Sequence, residues 1–588
     1  MSAAIELNAA TVGLLTSKAA GFSYPRTRLL LDFVNHSGAV EKLEAWEEQD
    51  RAIQGKRPGG RPRQISFVAL CAVLLGLVLE GHAPTMTNVA EHIADGMDTK
   101  TRALLGLPSA PASTTAWTHR ATRTFHALLR PINPSPFGPT RRTRLSPNEF
   151  HQTRDSADPH HVEDRNNRLT LVMNLLVRTV YSALPTNLKE RHTGDTAVDA
   201  TFVKTFGQRG HDRERRQRIG MDPDAGWWTR HGDHNGDQVQ ERKRAGFGYD
   251  LHIATSTWHD PDEADFPIIA LAVGYGVPGR NPAGITTNMY RFLHDAGHPA
   301  GRLVGDLLYW AGQDEETFHK PLIAMGHRPV TDYRVDQLEV AGEIEGALII
   351  EGSLYCPQMQ HDAPGLITAT RRFLAGEIDF DPWQELLEQR SYYLFKPKGL
   401  PDEDGYQRFI HPTDGGTHIC DANRKHAPKA CRQKSFTVPA NSELKKRQPL
   451  RHGTQEWLAA YGHGRNAIET FNAYIKDATT IGLSEQSRRR VRGIAAQFFY
   501  STLHVVAGNL RKVRAFFVEE EKRARALKSA GTKKHRRGRR EEPKAVRLPF
   551  GKKRRARAPQ KIASELAALA NHGADPTLSA VLRQSQDE

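Results

Sequence analysis

Two hydrophobic periods run along this chain, and the change from one to the other divides it. Up to residue 133, apolar residues recur every three or four positions, the spacing of amphipathic helices. The stretches "TRLLLDFVNHSGAVEKLEAWEEQD", "TMTNVAEHIA" and "STTAWTHRATRTFHALLRP" all carry it. Between them, Ile65 to Leu79 is almost wholly apolar. That run is too short to cross a bilayer and predicts a helix buried in a core. Several short helices beside the basic loop "GKRPGGRPRQ" suit a helical DNA-binding domain over 1–133, of helix-turn-helix type. Pro134 to Pro159, rich in Pro, Ser, Asp and His, reads as a linker, and with a lead-in helix it fills 134–190.

From Thr196 the period shortens. The stretches 196–206, 247–258, 266–276, 301–310 and 328–335 are rich in β-branched and aromatic residues and predict five strands. Residues 285–297 and 314–326 predict helices, each closed by a glycine. The order β-β-β-α-β-α-β predicts an α/β fold, a mixed sheet with flanking helices, as in ribonuclease H-like folds. A polar loop spans Gly207 to Gly246. Short apolar runs between turns predict a β-rich insertion over 340–450, which splits the core into 191–339 and 451–527. The second part holds the helix "YGHGRNAIETFNAYIKD" and then "SEQSRRRVRGIAAQFFYSTLHVVAGNLRKVRAFF", read as one long amphipathic helix.

Composition is that of an ordinary globular protein: 588 residues, 38% hydrophobic and 25% charged. The net charge of +15 changes the picture only through its placement. Arg511 to Gln560 carries 20 Lys and Arg against 5 Glu, which accounts for the whole excess. Such a run, continuing into a basic tail over 528–588, predicts binding to double-stranded DNA through phosphate contacts. A solubilising tail is the bland alternative. Four cysteines in so long a chain, with neither a signal-peptide pattern nor a membrane span, predict a reducing, cytoplasmic and nucleoid-associated location.

Candidate chemistry begins on the helix 461–477. Arg465, Glu469, Asn472 and Lys476 fall in one stripe, and Ile468, Phe471 and Ile475 form a second that predicts the buried face. The polar stripe is either a solvated edge or a carboxylate flanked by cations. Two further acids stand where the resemblance to ribonuclease H-like enzymes implies metal-binding acids: Asp199 within the first strand and Asp306 at the end of the fourth. Hard divalent cations prefer such oxygen ligands, and two ions can serve the attacking and leaving oxygens of an in-line displacement. Asp195 and Asp250 compete with Asp199, but Asp195 lies in a turn and Asp250 on the second strand.

With these acids in place, the chain resembles the DDE transposases of bacterial insertion sequences. The likeness is to the subgroup with a β-rich insertion and a Tyr-Arg-Glu-Lys signature. The matching residues are Tyr461, Arg465, Glu469 and Lys476; three residues separate Tyr461 from Arg465 where the signature has two. The resemblance implies Asp199, Asp306 and Glu469 as ligands of two Mg²⁺ or Mn²⁺ ions, and Arg465 and Lys476 as phosphate contacts. It also implies cleavage at transposon ends, strand transfer into target DNA, and at least a homodimer on DNA. A ribonuclease H-like nuclease without strand transfer, and a non-catalytic DNA-binding regulator, are the rival readings.

Weaker signals surround these. Trp227 and Trp228 either stack on an unpaired base or pin their loop. Arg61 and Arg63 could enter a minor groove, and Arg488, Arg489 and Arg490 could touch the DNA backbone. "HGDHNGD" (231–237) reads as a polar loop. His418, Cys420, His426 and Cys431, with Cys356 upstream, offer zinc ligands without a tight Cys-x₂-Cys knuckle. Cys71, on the apolar helix, reads as core.

Overall fold

The computed structural model describes residues 5–53, 55, 62–109, 112–138, 144–207, 219–230, 244–258, 265–307, 309–420 and 427–536. Arg61, the 231–237 motif, His426 and the basic tail beyond 536 lie outside the described residues.

A six-stranded mixed sheet lies at the centre. It is formed by β1 (Thr196–Lys204), β2 (Gly226–Arg230), β3 (Arg244–Ser256), β4 (Ala270–Gly276), β5 (Arg302–Gly305) and β6 (Arg328–Val330). β1 runs antiparallel to β3 on one side and parallel to β5 on the other, and β6 extends the parallel edge. β2 and β4 both pair with β3, one after the other along its far edge. The expected polar loop 207–246 therefore contains a strand, β2, which carries both tryptophans. The fourth and fifth strands are shorter than their apolar runs suggest. β5 stops at Gly305 because the chain turns back on itself there: a Cβ at Gly305 would lie 2.7 Å from the Trp310 indole nitrogen.

β4 is buried along its whole length and would leave a bare outer edge. Two buried asparagines close it. Asn174 pairs with the backbone of Val273 through both its amide groups, at 2.7 and 2.9 Å, and Asn509 does the same with Ala270 at 2.8 and 2.7 Å. These come from the helices Pro159–Ser182 and Ile494–Arg536, so the flanking helices are locked to the sheet by polar bonds as well as apolar packing. The second of these helices starts at Ile494. Residues 484–493, read from sequence as part of it, form a turn, the short 3-10 helix Gln486–Arg488 and an irregular approach instead.

The N-terminal helices do not build a separate core. Phe67–Glu80 is buried on nearly every side, as its composition predicts, and its apolar neighbours run without a break into those around the sheet. Cys71 sits there, its thiol pushed up to about 12 by burial. Arg165 ties the region down through Asp50 at 2.6 Å, and the Tyr500 hydroxyl donates to the Pro84 carbonyl at 2.6 Å. The expected linker contributes the short helix Pro147–Asp155. No helix among the described residues is long and apolar enough to cross a membrane.

The insertion contains strands, but also helices. β7 (Val340–Ile344), β8 (Ala347–Ile350) and β9 (Ser353–Tyr355) form one sheet. β10 (Lys396–Pro397), β11 (Gln407–Ile410) and β14 (Ser435–Val438) form another, with a β12 (Thr413–Asp414)–β13 (Thr417–His418) hairpin beside it. The helix Phe380–Arg390 touches both apolar clusters, Leu386 packing against that of the insertion and Phe380 against that of the core. The insertion has an apolar cluster of its own. It is joined to the core by a buried ionic network in which His452 lies 2.8 Å from Asp332 and 3.4 Å from Glu351, which also pairs with Arg390.

Candidate active site

Asp199 and Asp306 are brought together by strand register. Val198 of β1 pairs with Gly305, the last residue of β5, so the residues that follow, Asp199 within β1 and Asp306 just past the end of β5, come close together. The two carboxylates are near enough for the charge of Asp306 to act on Asp199. The turn after β5 holds Asp306, whose Oδ1 accepts from the Tyr309 backbone amide at 3.3 Å.

The helix Gln455–Lys476 crosses the sheet there. Thr454 caps it, and Ile468, Phe471 and Ile475 are fully buried beneath it, as the sequence stripe predicts. Its close approach depends on Gly464, where a Cβ would stand 2.5 Å from Val304 Cγ2. Seated so, the helix presents Arg465, Glu469 and Asn472 to the aspartates. Arg465 Nη2 donates to Glu469 Oε1 at 2.9 Å, Arg465 Nη1 lies 4.0 Å from Asp199 Oδ1, and Asn472 Nδ2 donates to Asp199 Oδ2 at 3.1 Å. The cluster is open to solvent: the Asp199 side chain is 20% exposed and that of Glu469 47%.

The electrostatics are those of crowded acids. Burial pushes the Asp199 carboxyl up to about 7, helped by the charges of Asp306 and Glu469 and opposed by Arg465. Burial works against the Arg465 cation, but Asp199, Asp306 and Glu469 outweigh it and raise its pKa. The oxygens are not drawn together as a single-ion cage. Among the described residues, the groups of His, Cys, Asp or Glu that close to within 4.8 Å are Cys356/His411/Cys420/Cys431 and Glu80/His82/His92. Glu80 in the second is already paired with buried Arg26.

Other expectations fare differently. Tyr461 is buried and stacked on Trp457 at 4.7 Å, so it forms the floor of the site and offers no surface to DNA. Arg489 is also corrected: it is fully buried and donates to the carbonyls of Leu483 and Lys204 and to Gln497, a strut between the approach to the last helix and β1. Arg488 donates to the carbonyls of Ile481 and Ala478, whereas Arg490 is exposed above the Phe206 ring. Arg63 pairs with Glu47 and covers the Phe67 ring. Lys476 lies near enough to Asp250 to draw its pKa down against the dominant effect of burial. Trp228 stacks on Phe202, which pins it, while Trp227 meets Phe247 edge-on and keeps 49% of its surface exposed. Asp195 is structural: it is buried and accepts from the Arg302 amide at 2.7 Å.

Two features are not visible in the sequence pattern. Asn472 turns inward to hold Asp199, although the helical stripe already aligns it with Glu469. His411 joins the cysteines in place of His418, which instead stacks on the His411 ring at 4.3 Å. No family model matches the chain, and no curated protein or solved structure matches it either.

Proposed function

We propose that this protein is a DNA transposase that cuts at the ends of a mobile element and joins the freed 3′-hydroxyl to target DNA. The observation that carries the reading is the meeting of Asp199, Asp306 and Glu469, from three distant segments, on one solvent-open face. The strand order supports a ribonuclease H-like core, an antiparallel trio extended by two parallel strands, with Asp199 inside β1 and Asp306 just past the end of the neighbouring β5.

The donor set fits divalent cations. It is all hard oxygen, and both the burial that mainly raises Asp199 and the neighbouring charges of Asp306 and Glu469 oppose an ionised form that a bound cation would stabilise. Mg²⁺ or Mn²⁺ held by Asp199, Asp306 and Glu469 supplies charge neutralisation for in-line phosphodiester displacement. The three carboxylates are spread wider than one ion's ligand shell, so Asp199, Asp306 and Glu469 would together hold two ions.

The chain's own groups do the rest. Asn472 fixes the rotamer of Asp199. Arg465 offsets the acids: its Nη1, buried without a hydrogen-bond partner, faces Asp199 at 4.0 Å. Lys476, further along the stripe, extends the cationic edge on which a DNA strand would lie. The surface around Trp227 and Arg490, with the basic C-terminal segment, adds affinity for the DNA backbone.

The test uses the full chain, pre-cut element ends and a supercoiled target in Mg²⁺. Joined products that vanish with Asp199→Ala are expected. Strand cleavage without joining would turn the assignment to a nuclease, and DNA binding with neither activity to a regulator.

A further inference from the structure

We propose that Cys356, His411, Cys420 and Cys431 bind one zinc ion that holds the insertion together. This inference is independent of the transposase reading, since the site lies in the insertion and uses none of the acidic residues. The four residues arrive from separate pieces of chain. Cys356 follows β9, His411 follows β11, Cys420 follows the β12–β13 hairpin, and Cys431 sits on the short helix Lys429–Arg432.

Two separations, Cys356 Sγ to Cys431 Sγ and to His411 Nε2, match the edges of a tetrahedron with a metal at its centre. For Zn–S of about 2.3 Å and Zn–N of about 2.0–2.1 Å, tetrahedral geometry requires edges of roughly 3.8 Å between sulfurs and 3.5 Å between sulfur and nitrogen. Cys356 Sγ lies 3.8 Å from Cys431 Sγ and 3.6 Å from His411 Nε2. Cys420 Sγ lies 3.1 Å from the same nitrogen, and all four ligand atoms fall within 4.8 Å of one another.

His411 is also prepared for the task. Its Nδ1 is 2.6 Å from the Pro412 carbonyl, which accepts the ring proton there and leaves the Nε2 lone pair facing the thiols. A backbone carbonyl on the far nitrogen is the usual partner of a metal-binding histidine. His411, Cys356 and Cys431 are buried, and the His418 ring shields His411 on one face. Three thiols and an imidazole form a soft donor set that selects zinc over Mg²⁺.

The insertion has reason to need a staple. Its second sheet is built from strands of two and four residues, too short to be stable without support. A closed site of this kind contributes folding energy directly.

The test is metal analysis of the full chain purified without added metal or chelator, followed by cobalt exchange. About one zinc per chain is expected. Cobalt should give the strong visible bands of a tetrahedral ion with a thiolate charge-transfer band. His411→Ala and Cys420→Ser should lose most of the metal, and His418→Ala should keep it. Should those two variants prove insoluble, thiol titration of the native chain decides: zinc protects three cysteines until a chelator is added. A metal-free native chain, a Cys356–Cys431 disulfide, or loss of zinc only in His418→Ala would overturn the assignment.

Discussion

The side-chain amide of Asn472 donates to Asp199 Oδ2 at 3.1 Å, tying the helix that carries Glu469 to the strand that carries Asp199. Asn472 is buried and its own oxygen has no partner, so the bond holds Asp199 more than it holds the helix. Asn472→Ala is expected to cost about 1 kcal/mol of stability or less. Strand joining should fall roughly 10- to 100-fold, with a higher metal concentration needed for half-maximal activity. A metal titration of joined product checks this; an unchanged requirement would make Asn472 a packing residue only.

The burial of Asp199, with the acids beside it, makes a pH prediction with a definite sign. The folded pKa of Asp199 is raised from 3.8 to about 7, so its contribution to stability is complete below 3.8 and is lost as pH rises through about 7. Burial lowers the pKa values of His192, His252, His298, His319, His327 and His504, which gives the whole chain an opposite slope. The Asp199 share is therefore read against a variant: without metal, Asp199→Asn should gain more in melting temperature over wild type at pH 8 than at pH 5, by roughly a few degrees. Asp224, buried beside Asp222, is also raised to about 7 and adds a slope of the same sign. The two are separable. Mg²⁺ should restore the loss from Asp199 alone, and Asp199→Asn should raise the metal-free melting temperature at pH 8 while abolishing joining.

Alanine normally favours a helix over glycine by about 1 kcal/mol. At Gly464 the sign should reverse, because the added Cβ meets Val304 Cγ2 at 2.5 Å and the helix must lift from β5. Gly464→Ala is expected to destabilise by roughly 1–3 kcal/mol. It should lower joining further than stability alone explains, since Glu469 moves away from Asp306. Thermal melts beside joining rates measure both.

His452 carries the junction between core and insertion. Burial opposes its protonation, but Asp332 and Glu351 outweigh burial and raise it to about 9. Its contribution is complete below 6.5 and is lost as pH rises through about 9. Glu351, also buried, is pulled down to about 2 by Arg390 and His452, so its share is present above 4.5 and is lost only as pH falls through 2. His452→Phe should therefore cost about 3–5 kcal/mol at neutral pH. The gap between variant and wild type should close as the pH is raised through the His452 pKa, which denaturant titrations at several pH values would show.

Neighbouring arginines should separate cleanly. Arg489→Met removes a fully buried strut and is expected to cost roughly 2–4 kcal/mol without changing the salt dependence of DNA binding. Arg490→Ala should leave stability unchanged and lower the slope of log affinity against log salt by about 1. A slope lowered by the Arg489 variant alone would reverse the two roles.

How far these residues can be read in advance depends on the range of the forces placing them. The apolar stripe of Ile468, Phe471 and Ile475, the buried helix Phe67–Glu80 and the strand around Asp199 all follow from periodicity, since a local pattern of side chains selects a local backbone. The closing glycines 297 and 326 follow too, both at positive φ. Other features depend on partners distant in the chain. Arg489 stands in a run of arginines that looks solvent-bound, yet it is buried because the Leu483 and Lys204 carbonyls meet there. Asn174 and Asn509 are unremarkable until β4 needs an edge closed. His411, nine residues from Cys420, belongs to the thiols only because a hairpin and a short helix converge. Periodicity states which face of an element is apolar; which residues face each other across elements is set by packing, register and hydrogen-bond satisfaction over the whole fold.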